Sequence, residues 1–597
     1  MTPYQAPLAD MRFVLGELAG LEEIAALPGL GEATPDLVDA VLEEAGRFGA
    51  EVLAPLNKIG DTEGCMLENG VVRTPSGFRD AYARFVEGGW NGVPLSPDYG
   101  GQGLPWLVST AVSEIWNAAN LSFALCPMLT QGAVELLSAH GSPEQKALYL
   151  PKLVEGTWNG TMNLTEPQAG SDLARLSTRA VRDNGLYRIT GQKIFITYGE
   201  HDFTENIIHM VLARLPDAPP GIKGISLFIV PKFLVNADAS LGPRNDVRCV
   251  SIEHKLGINA SPTAALSFGD DGGAVGYLVG GENQGIQCMF FMMNNARLAV
   301  GLEGVAVGER AYQQARAYAR ERVQGHALGD SGDPPVTIDH HPDVRRMLLS
   351  MKAQVEATRS LAYYVAAAID MAKRHPDEEV RRQKQAFADL MTPVVKAWSS
   401  DAGIDIANTG IQVHGGMGYI EETGAAQLLR DARIATIYEG TNGIQANDLM
   451  GRKVVREKGI TIKAFIETMR SLDGELAVAP EDDIAVIRTR LGLAIDALAK
   501  ATDWAVETYP FDQRAVAAGA VDFLRLFGIV SGGWLMAKGA LAAHGKLAAG
   551  DGDGRFLKGR LASARYFADH LLSQAPMLHV AVTEGAAAVL AVEKEQF

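Results

Sequence analysis

Residues 437–441 read Ile-Tyr-Glu-Gly-Thr, and they are the most informative stretch of this chain. One carboxylate, Glu439, stands between an aromatic residue and a glycine, with a hydroxyl two positions later. Two further stretches lie upstream, Gln-Val-His-Gly-Gly-Met-Gly-Tyr at 412–419 and Leu-Thr-Glu-Pro-Gln-Ala-Gly-Ser-Asp-Leu at 164–173. An acidic residue next to glycine means little alone. The ordered set, however, supplies a candidate base together with glycine-rich contacts for a phosphate.

The composition limits the possible functions. The chain has 597 residues, too many for one hydrophobic core, so three or four units are expected. Its net charge of −17 argues against a general nucleic-acid binder, since a phosphate backbone requires a basic protein surface. The four cysteines are scattered without a CxxC pair or a Cys/His cluster, so the sequence predicts neither a metal site nor a disulfide framework.

The ends of the chain and its apolar stretches bear on its location. The first ten residues lack a basic region followed by an apolar run, so no signal peptide is visible. The most apolar late stretch, 527–537, is too short to span a bilayer and is flanked by Arg525 and Lys538. We therefore expect a cytoplasmic protein without an integral membrane segment.

Helical and strand patterns follow each other in blocks. Helical spacing dominates up to about residue 160, where Asp36–Phe48 carries an amphipathic pattern and Ser142-Pro143 opens a further helix. Short β-branched runs separated by Gly, Pro and Asp then predict strands at 187–197, 207–213 and 225–230. Helical spacing returns afterwards and predicts helices that include 297–323, 342–373, 377–409, 483–509, 511–547 and 556–574.

This order predicts an α+β multidomain fold with four segments. We expect an N-terminal helical domain at 1–160, a middle β domain at 161–283, a C-terminal helical bundle with Glu439 at 284–455, and an extra helical extension at 456–597.

The motifs together resemble those of the acyl-CoA dehydrogenase family over about residues 35 to 455. The matching stretches, in order, are 164–172, 193–197, 255–263, 297–322, 412–419 and 438–441. The resemblance implies a barrel-like middle domain, a C-terminal four-helix bundle and FAD as cofactor. It also implies the family reaction, in which a base removes the α-proton of an acyl-CoA thioester while a hydride from the β-carbon moves to flavin N5. The product is a trans-2-enoyl-CoA.

Glu439 is the catalytic base that the resemblance implies. In some relatives the base instead precedes the arginine that matches Arg297, but this chain has Ala296 there, which cannot take a proton. The resemblance also implies that Tyr438 packs beside the acyl site, that Gly440 lets flavin and substrate approach the backbone, and that Thr441 meets the FAD pyrophosphate. The alternative is that Glu439 is a surface carboxylate at a helix start capped by Thr441 or Asn442.

Residues of the middle segment resemble a flavin site. Thr165 and Thr197 match threonines that bind the polar edge of the isoalloxazine, and Phe195 stands where many relatives have tryptophan against the flavin face. Gly170 and Ser171 match residues along the pyrophosphate and pantetheine path. The alternatives are a core aromatic for Phe195 and a simple turn for Gly170-Ser171.

The remaining predicted contacts concern the partner subunit and the CoA chain. Arg322 matches an arginine that reaches the FAD of a neighbouring subunit, although the usual Phe-Gly pair does not follow it here. The same resemblance implies that Gln412, Gly415 and Gly416 bind the adenosine and pyrophosphate of FAD across the dimer interface. Asn294 and Arg297 match residues near the CoA chain, where many relatives have aspartate in place of Asn294. We therefore expect a homodimer.

The identity of the substrate is left open by these motifs. The helical extension and the opening residues 4–15 resemble the long bacterial group that includes 3-methylmercaptopropionyl-CoA dehydrogenase. Very-long-chain enzymes also carry a helical tail, so substrates range from 3-methylmercaptopropionyl-CoA to short- and long-chain fatty acyl-CoAs. Electron-transfer flavoprotein is the expected electron acceptor. The alternatives are an acyl-CoA oxidase and a protein that binds acyl-CoA without turnover.

Overall fold

The computed structural model describes residues 3–329, 334–479 and 481–597. The helices in chain order are α1 Leu8–Phe13, α2 Leu21–Ala25, α3 Pro35–Phe48, α4 Ala54–Glu63, α5 Phe78–Glu87, α6 Trp106–Ala119, α7 Leu121–His140, α8 Pro143–Glu155, α9 Gly285–Glu321, α10 Pro342–Arg374, α11 Glu378–His414, α12 Ala425–Ala432, α13 Asn442–Asp448, α14 Ile460–Ser471, α15 Asp473–Val478, α16 Asp482–Thr508, α17 Gln513–Ala518, α18 Ala520–Ala549, α19 Gly554–His570, α20 Ala575–Glu584 and α21 Ala586–Ala591. The strands are β1 Met66–Glu68, β2 Val71–Arg73, β3 Trp158–Asn163, β4 Arg179–Asp183, β5 Leu186–Thr197, β6 Asn206–Arg214, β7 Ile225–Pro231, β8 Phe233–Val235, β9 Leu241–Arg244, β10 Val247–Ile252, β11 Thr263–Phe268 and β12 Ala274–Val279.

The chain divides into two compact units. The sheet unit comprises Arg47–Leu104 and Ala119–Ala299, and the helical unit comprises Met1–Gly46, Pro105–Ala118 and Val300–Phe597. Both units are therefore built from separated stretches of chain. The N-terminal stretch predicted as helical also contains the small antiparallel hairpin of β1 and β2.

Five strands of the sheet unit form a closed ring. Strand β5 pairs antiparallel with β4 and β12, β12 with β7, and β7 with β6, while a parallel pairing of β4 with β6 completes the ring. Strands β11 and β10 extend from β5, and β3 lies parallel to β6. The expected barrel-like middle domain is confirmed, and the predicted strands agree with β5, β6 and β7 to within one residue at each end.

Side-chain alternation along β6 places two hydrophobic cores on its two faces. Ile208, Met210 and Leu212 belong to a core that includes residues of α7 and α8. Val211 and Ala213 belong to a second core with residues of β7 and β11. Because strand side chains point alternately to opposite faces, one fully buried strand contributes to both cores.

The predicted long helices are present, with one correction. The predicted helix 297–323 is the later part of α9, which begins at Gly285 because Cys288, Met289 and Met292 continue a buried stripe at helical spacing. The prediction of one helix at 511–547 is wrong, since α17 and α18 are separate helices that meet at Gly519. A Cβ atom at Gly519 would lie 2.7 Å from the Val582 carbonyl oxygen, so the backbone of α20 approaches at that break.

A buried ion cluster connects stretches of the helical unit that are distant in sequence. Arg359 of α10 donates from Nη2 to Glu114 Oε1 at 2.6 Å and to Glu309 Oε2 at 2.8 Å. The Tyr363 hydroxyl donates to Glu114 Oε2 at 2.8 Å. Since a buried carboxylate needs charge-assisted partners, this cluster fixes α6 against α9 and α10.

Two helices are long and apolar enough to cross a membrane. They are α7 and α18, and 78% and 83% of their most apolar windows are buried inside the protein. Such burial is typical of the core helices of a soluble protein. The late apolar stretch is thus part of a helix of sufficient length, contrary to the expectation from 527–537 alone, but its surface is covered by protein.

Candidate active site

The loop that carries Glu439 lies in the helical unit between a 3-10 turn at Arg433–Thr436 and helix α13. The backbone angle φ is +56° at Glu439 and +81° at Gly440. The left-handed region is open to glycine, but it costs a residue with a side chain roughly 1–3 kcal/mol. A glutamate persists there only where its surroundings fix the loop, and such strain is concentrated at functional sites.

Three hydrogen bonds fix this loop from outside. Gln445 Nε2 donates to the Glu439 carbonyl oxygen at 3.0 Å, and Lys396 Nζ donates to the Gly440 carbonyl oxygen at 2.8 Å and to Asn442 Oδ1 at 2.8 Å. The Thr441 hydroxyl accepts from the Ile444 backbone N–H at 3.2 Å and caps α13. The alternative reading of Glu439, a surface carboxylate at a helix start, predicts a cap by Thr441, and this cap is present. The loop before the helix is nevertheless held in place by the three hydrogen bonds above.

Tyr438 connects the loop to the long helix α9. Its hydroxyl donates a short hydrogen bond to Oε2 of Glu303, whose side chain is buried. Burial raises the pKa of Glu303 to about 8, and the charge of Glu439 acts in the same direction, while the Tyr438 hydrogen bond and the charge of Lys396 oppose it. Burial, followed by the charge of Glu303, raises the pKa of Tyr438 well above its ordinary value.

The sheet unit brings together three of the residues predicted to contact the flavin ring. The Ile194 N–H donates to the Thr165 carbonyl oxygen at 2.9 Å, which places Thr165 beside β5. Phe195 has φ of +59° and an exposed ring, 58% accessible, and Thr197 follows two residues later. The register of β5 against β11 shifts here, as expected for a bulge that redirects a side chain. Phe195 is thus not a core aromatic.

A buried ion pair builds the loop that contains Thr165. Glu166 accepts from Lys193 Nζ at 2.8 Å and from the Thr178 hydroxyl at 2.6 Å, and Lys193 also donates to the Leu164 carbonyl oxygen at 3.0 Å. Paired backbone hydrogen bonds between Glu166 and Ala169 close a turn, after which Gly170 and Ser171 are exposed. The sequence predicts the turn, but it does not reveal Glu166 as its anchor.

The predicted phosphate contacts follow the end of α11 in the helical unit. Gln412, Gly415 and Gly416 are exposed, and Gly415 has φ of +59°. A Cβ atom added at either glycine would meet no atom within 4 Å, so the backbone there faces open space. His414 is buried and its Nδ1 lies 2.7 Å from the Gly410 carbonyl oxygen, so its ring is part of the packing at the end of α11.

The remaining predicted contacts are those of Asn294, Arg297 and Arg322, which lie on α9 or just after it. Arg297 is only 7% exposed, donates to Asn294 Oδ1 at 3.4 Å and lies over the ring of Phe290 at 5.7 Å. Arg322 follows the last residue of α9 and is exposed, and its carbonyl oxygen accepts from the Ile338 N–H at 2.8 Å. The structure thus brings Asn294 and Arg297 together and places Arg322 just beyond the end of α9.

The donor sets of the two units fit the parts of FAD that the sequence assigns to them. Thr165 and Thr197 are half-buried; Thr197 follows the exposed Phe195 by two residues, and the Thr165 backbone lies beside the same strand. Hydroxyl donors at the pyrimidine edge of a flavin and an apolar ring against its face are what this cofactor requires. The open glycine backbone after α11 fits a pyrophosphate.

Sequence reasoning missed several supporting residues. Glu303 and Lys396 contact the Glu439 loop or its neighbours although they are far from it in sequence, and Gln445 contacts it from the helix that follows. One signal was available for Lys396, a lone charge in the apolar run Val394-Val395-Lys396-Ala397. A charged residue on the buried face of a helix indicates a buried partner.

Comparison with known domain families covers most of the chain. The matches are Acyl-CoA dehydrogenase, N-terminal domain, at residues 38–157; Acyl-CoA dehydrogenase, middle domain, at 161–270; Acyl-CoA dehydrogenase, C-terminal domain, at 283–454; and Acetyl-CoA dehydrogenase C-terminal like at 461–593.

Individual relatives match over nearly their full length. The chain is 48% identical over 582 residues to 3-methylmercaptopropionyl-CoA dehydrogenase of Ruegeria pomeroyi, covering 97% of this chain and 98% of that one. It is 35% identical over 576 residues to a butyryl-CoA dehydrogenase of Syntrophomonas wolfei, covering 94% and 93%. The crystal structure of an acyl-CoA dehydrogenase complexed with FAD from Bacillus anthracis has the same fold, with a TM-score of 0.73, 20% identity and coverage of 98% and 92%. The chain therefore belongs to the acyl-CoA dehydrogenase family of FAD-dependent oxidoreductases.

Proposed function

We propose that Glu439 is the base that removes the α-proton of the acyl-CoA thioester. The observation that carries this proposal is the clamped, left-handed backbone of Glu439, since strain of this kind is retained where a side chain must be presented in one direction. Ala296, at the alternative position of the base, has no ionisable group. A carboxylate with a fixed position can act as a general base without reorganising during the reaction.

The other residues of the loop bind and orient the substrate in this proposal. The Glu439 backbone N–H donates to the thioester carbonyl and stabilises the developing enolate. Gly440 leaves room for the approach of the substrate, and Tyr438 borders the acyl chain. Asn294, Arg297 and Ser171 contact the CoA portion. FAD, when bound, supplies the acceptor for the β-hydride.

The contacts with FAD are part of the same proposal. The hydroxyls of Thr165 and Thr197 donate to the polar edge of the flavin, and Phe195 excludes water from its face. Residues assigned to its phosphates and adenosine are Gly170, Ser171, Thr441, Gln412, Gly415 and Gly416, with Arg322 contributed to the neighbouring subunit.

The domain bounds of the sequence prediction, 1–160, 161–283, 284–455 and 456–597, belong to this proposal as well.

We expect Glu439→Gln to retain FAD and lose flavin reduction by acyl-CoA. Glutamine keeps the shape of the side chain but cannot accept the proton, so the rate of flavin bleaching falls by about 10²–10⁴-fold. Single-turnover bleaching in the absence of oxygen measures this rate. The exposed Glu422→Gln is the matched control and keeps the wild-type rate. Reduction within a few fold of wild type in Glu439→Gln would mean that another group is the base.

The substrate in this proposal is a short acyl-CoA such as 3-methylmercaptopropionyl-CoA. The support is the 48% identity to the Ruegeria enzyme of that name over nearly the whole chain. Butyryl-CoA dehydrogenase at 35% identity keeps ordinary short fatty acyl-CoAs as competing substrates. Bleaching by acyl-CoAs of rising length measures the preference directly.

The electron acceptor we propose is a soluble electron-transfer flavoprotein, and the protein is a cytoplasmic homodimer. The alternative of an acyl-CoA oxidase requires reduced enzyme to produce peroxide in air at a catalytic rate. We expect peroxide formation to be far slower than turnover with the flavoprotein. A protein that binds acyl-CoA without turnover would show no bleaching with any substrate.

A further inference from the structure

A cavity of about 140 Å³ lies inside the helical unit, and none of the residues proposed for the active site lines it. Three stretches of chain form its walls: residues 5–10, one face of α9 and one face of α10. On α9 the lining residues recur at intervals of three and four, from Glu309 to Arg316, as residues on one helical face do. The volume corresponds to about five water molecules, so the cavity has room for a small polar molecule.

The N-terminal segment is fixed against the helices that it covers. Gln313 Nε2 donates to the Gln5 carbonyl oxygen at 2.8 Å, and the Gln5 N–H donates to Gln313 Oε1 at 3.4 Å. Arg560 Nη1 of α19 donates to Asp10 Oδ1 at 3.4 Å. Hydrogen bonds at both ends of residues 5–10 thus hold this wall of the cavity in place.

Charged side chains line the cavity, and most of them bind each other. Arg359 Nη2 donates to Glu309 Oε2 at 2.8 Å, and Lys352 Nζ donates a short hydrogen bond to Glu356 Oε1. The acidic and basic side chains of the lining are Asp10, Glu309, Glu356, Arg316, Lys352 and Arg359. Since acids and bases are equal in number, the lining carries no net formal charge.

Two of these side chains have hydrogen-bonding groups that the protein does not use. Oε2 of Glu356 belongs to a residue that is 2% exposed, and within the described ranges it accepts no hydrogen bond. Arg560 Nη1 lies 3.2 Å from it, but not in the alignment that a hydrogen bond requires. Arg316 forms no ion pair with any residue that the structure describes. Its guanidinium carbon lies 5.3 Å from the centre of the Tyr312 ring, and a guanidinium over a ring keeps its N–H donors at its edge.

We propose that this cavity binds a small amino acid in its zwitterionic form. The carboxylate of the ligand accepts hydrogen bonds from the guanidinium of Arg316, and its ammonium group donates to Oε2 of Glu356. Glu114 and Arg560 contact the lining from outside and add one charge of each sign, so the balance of charge is kept. A zwitterion preserves this balance, whereas a simple anion or cation would bring a buried charge without compensation. The volume limits the ligand to amino acids such as glycine, alanine and β-alanine.

The test is titration calorimetry of the holoenzyme with four probes. Glycine and β-alanine carry both charged groups, acetate carries only the carboxylate, and methylamine carries only the ammonium group. We expect glycine or β-alanine to give a saturable heat with a Kd of about 1 mM or tighter, within the range open to so small a ligand. Acetate and methylamine bind about 10-fold more weakly or worse, because each lacks one hydrogen bond between charged groups.

Variants of α9 locate the binding in the cavity. Arg316→Met keeps an apolar stem but removes the partner of the carboxylate, so the affinity for glycine falls by about 10-fold or more. Arg316→Lys keeps the charge without the planar fork and retains part of the affinity, which decides the matter if the methionine variant fails to fold. The matched control is Arg320→Met, which removes an exposed arginine one turn further along α9 and keeps the wild-type affinity. FAD content shows that each variant is folded.

Three results would overturn the inference. If neither glycine nor β-alanine gives a saturable heat, the cavity holds only water. If acetate binds as tightly as glycine, the cavity is an anion site and the ammonium group has no partner there. If Arg316→Met and Arg316→Lys both bind glycine with the wild-type affinity, the amino acid binds elsewhere on the protein.

Discussion

Lys396 is a cation without access to solvent, and its ammonium group fixes the backbone that follows Glu439. It donates to the Gly440 carbonyl oxygen and to Asn442 Oδ1, each at 2.8 Å. Asn442 in turn donates to the Ala397 carbonyl oxygen at 3.1 Å. Lys396 of α11 thus holds the left-handed backbone at Gly440, while Gln445 of α13 holds it at Glu439. Lys396 is a positioning residue, since it acts through the loop.

We expect Lys396→Met to lower kcat by about 10- to 100-fold while FAD content stays near that of the wild type. Methionine fills the same space but removes the donor to the Gly440 carbonyl oxygen and leaves Asn442 Oδ1 with only the Ser400 hydroxyl at 3.4 Å, so the loop relaxes and the base loses its position. Steady-state kinetics with separate kcat and KM values measure the effect, since a general loss of folding would reduce FAD content instead.

The control for Lys396→Met is Lys500→Met, which removes an exposed lysine from α16. It keeps the wild-type kcat. A Lys396→Met enzyme with kcat within twofold of the wild type would show that the loop holds its geometry without the ammonium group.

The contrast between Glu439 and Glu303 shows which residues of the site can be read from sequence. Glu439 is marked by its neighbours in the chain, because a glycine, a threonine and an aromatic residue surround it. Glu303 stands in the run Gly301-Leu302-Glu303-Gly304, which predicts a helix and nothing more. Its place in the site depends on the hydrogen bond from Tyr438, 135 positions away, and on its burial. The spacing of residues along the sequence reveals neither.

At the scale of elements, the glycines of α9 decide how closely α11 can pack. A Cβ atom at Gly304 would lie 2.1 Å from the Ser399 carbonyl oxygen, which is an impossible contact without a shift of the backbone. Helix propensity favours alanine over glycine by about 1 kcal/mol in a helix interior. Steric overlap with a backbone oxygen outweighs that preference here, since no flexible side chain can move aside.

We expect Gly304→Ala to destabilise the protein by about 1–3 kcal/mol, the usual cost of overpacking a core. The matched control is Gly492→Ala in α16, where a Cβ atom would meet nothing within 4 Å. That change stabilises by about 0.5–1 kcal/mol. Thermal unfolding followed by circular dichroism gives opposite shifts of Tm for the two variants. Equal shifts would refute the close packing of α9 and α11.

The elements themselves were predicted best where one pattern runs without interruption. The strands β5, β6 and β7 and the helices α10 and α16 agree with their predicted ranges to within one residue at each end, while α11 continues to His414, beyond the predicted end at residue 409. The sequence does not predict the break at Gly519, because the alanine-rich run 515–520 has helical spacing on both sides. What ends α17 is contact with α20, a tertiary effect that local propensity does not contain.

At the scale of the molecule, the C-terminal extension is part of the helical unit and not an appendage. Trp398 of α11 is 6% exposed, and its indole lies against Gly528 and Gly532 of α18, where Cβ atoms would come within 2.4 Å of the ring. The ring of Phe465 in α14 adds an edge contact with Phe387 of α11 at 4.9 Å. The extension thus covers the outer face of α11.

We expect the intact protein to be a dimer in solution, and we propose that the extension covers a surface that shorter relatives would use to form tetramers. Light scattering coupled to size-exclusion chromatography measures the mass, and a dimer of a 63.8 kDa chain is distinguished easily from a tetramer. A tetramer would contradict the role assigned to the extension. The result also tests whether Arg322 has a neighbouring subunit to reach.

The ion cluster around Arg359 has a consequence for how the protein is made. Glu114 is separated from Arg359 by 245 positions, and Gln5 is separated from its partner Gln313 by 308. A ribosome releases the whole sheet unit, which ends at Ala299, before Arg359 exists. The Glu114 carboxylate of α6 therefore has no Arg359 to bind until the second half of the chain has been synthesised. During synthesis, α6 therefore lacks these contacts for longer than the sheet unit does, and incompletely packed surface of this kind is open to proteases and to chaperones.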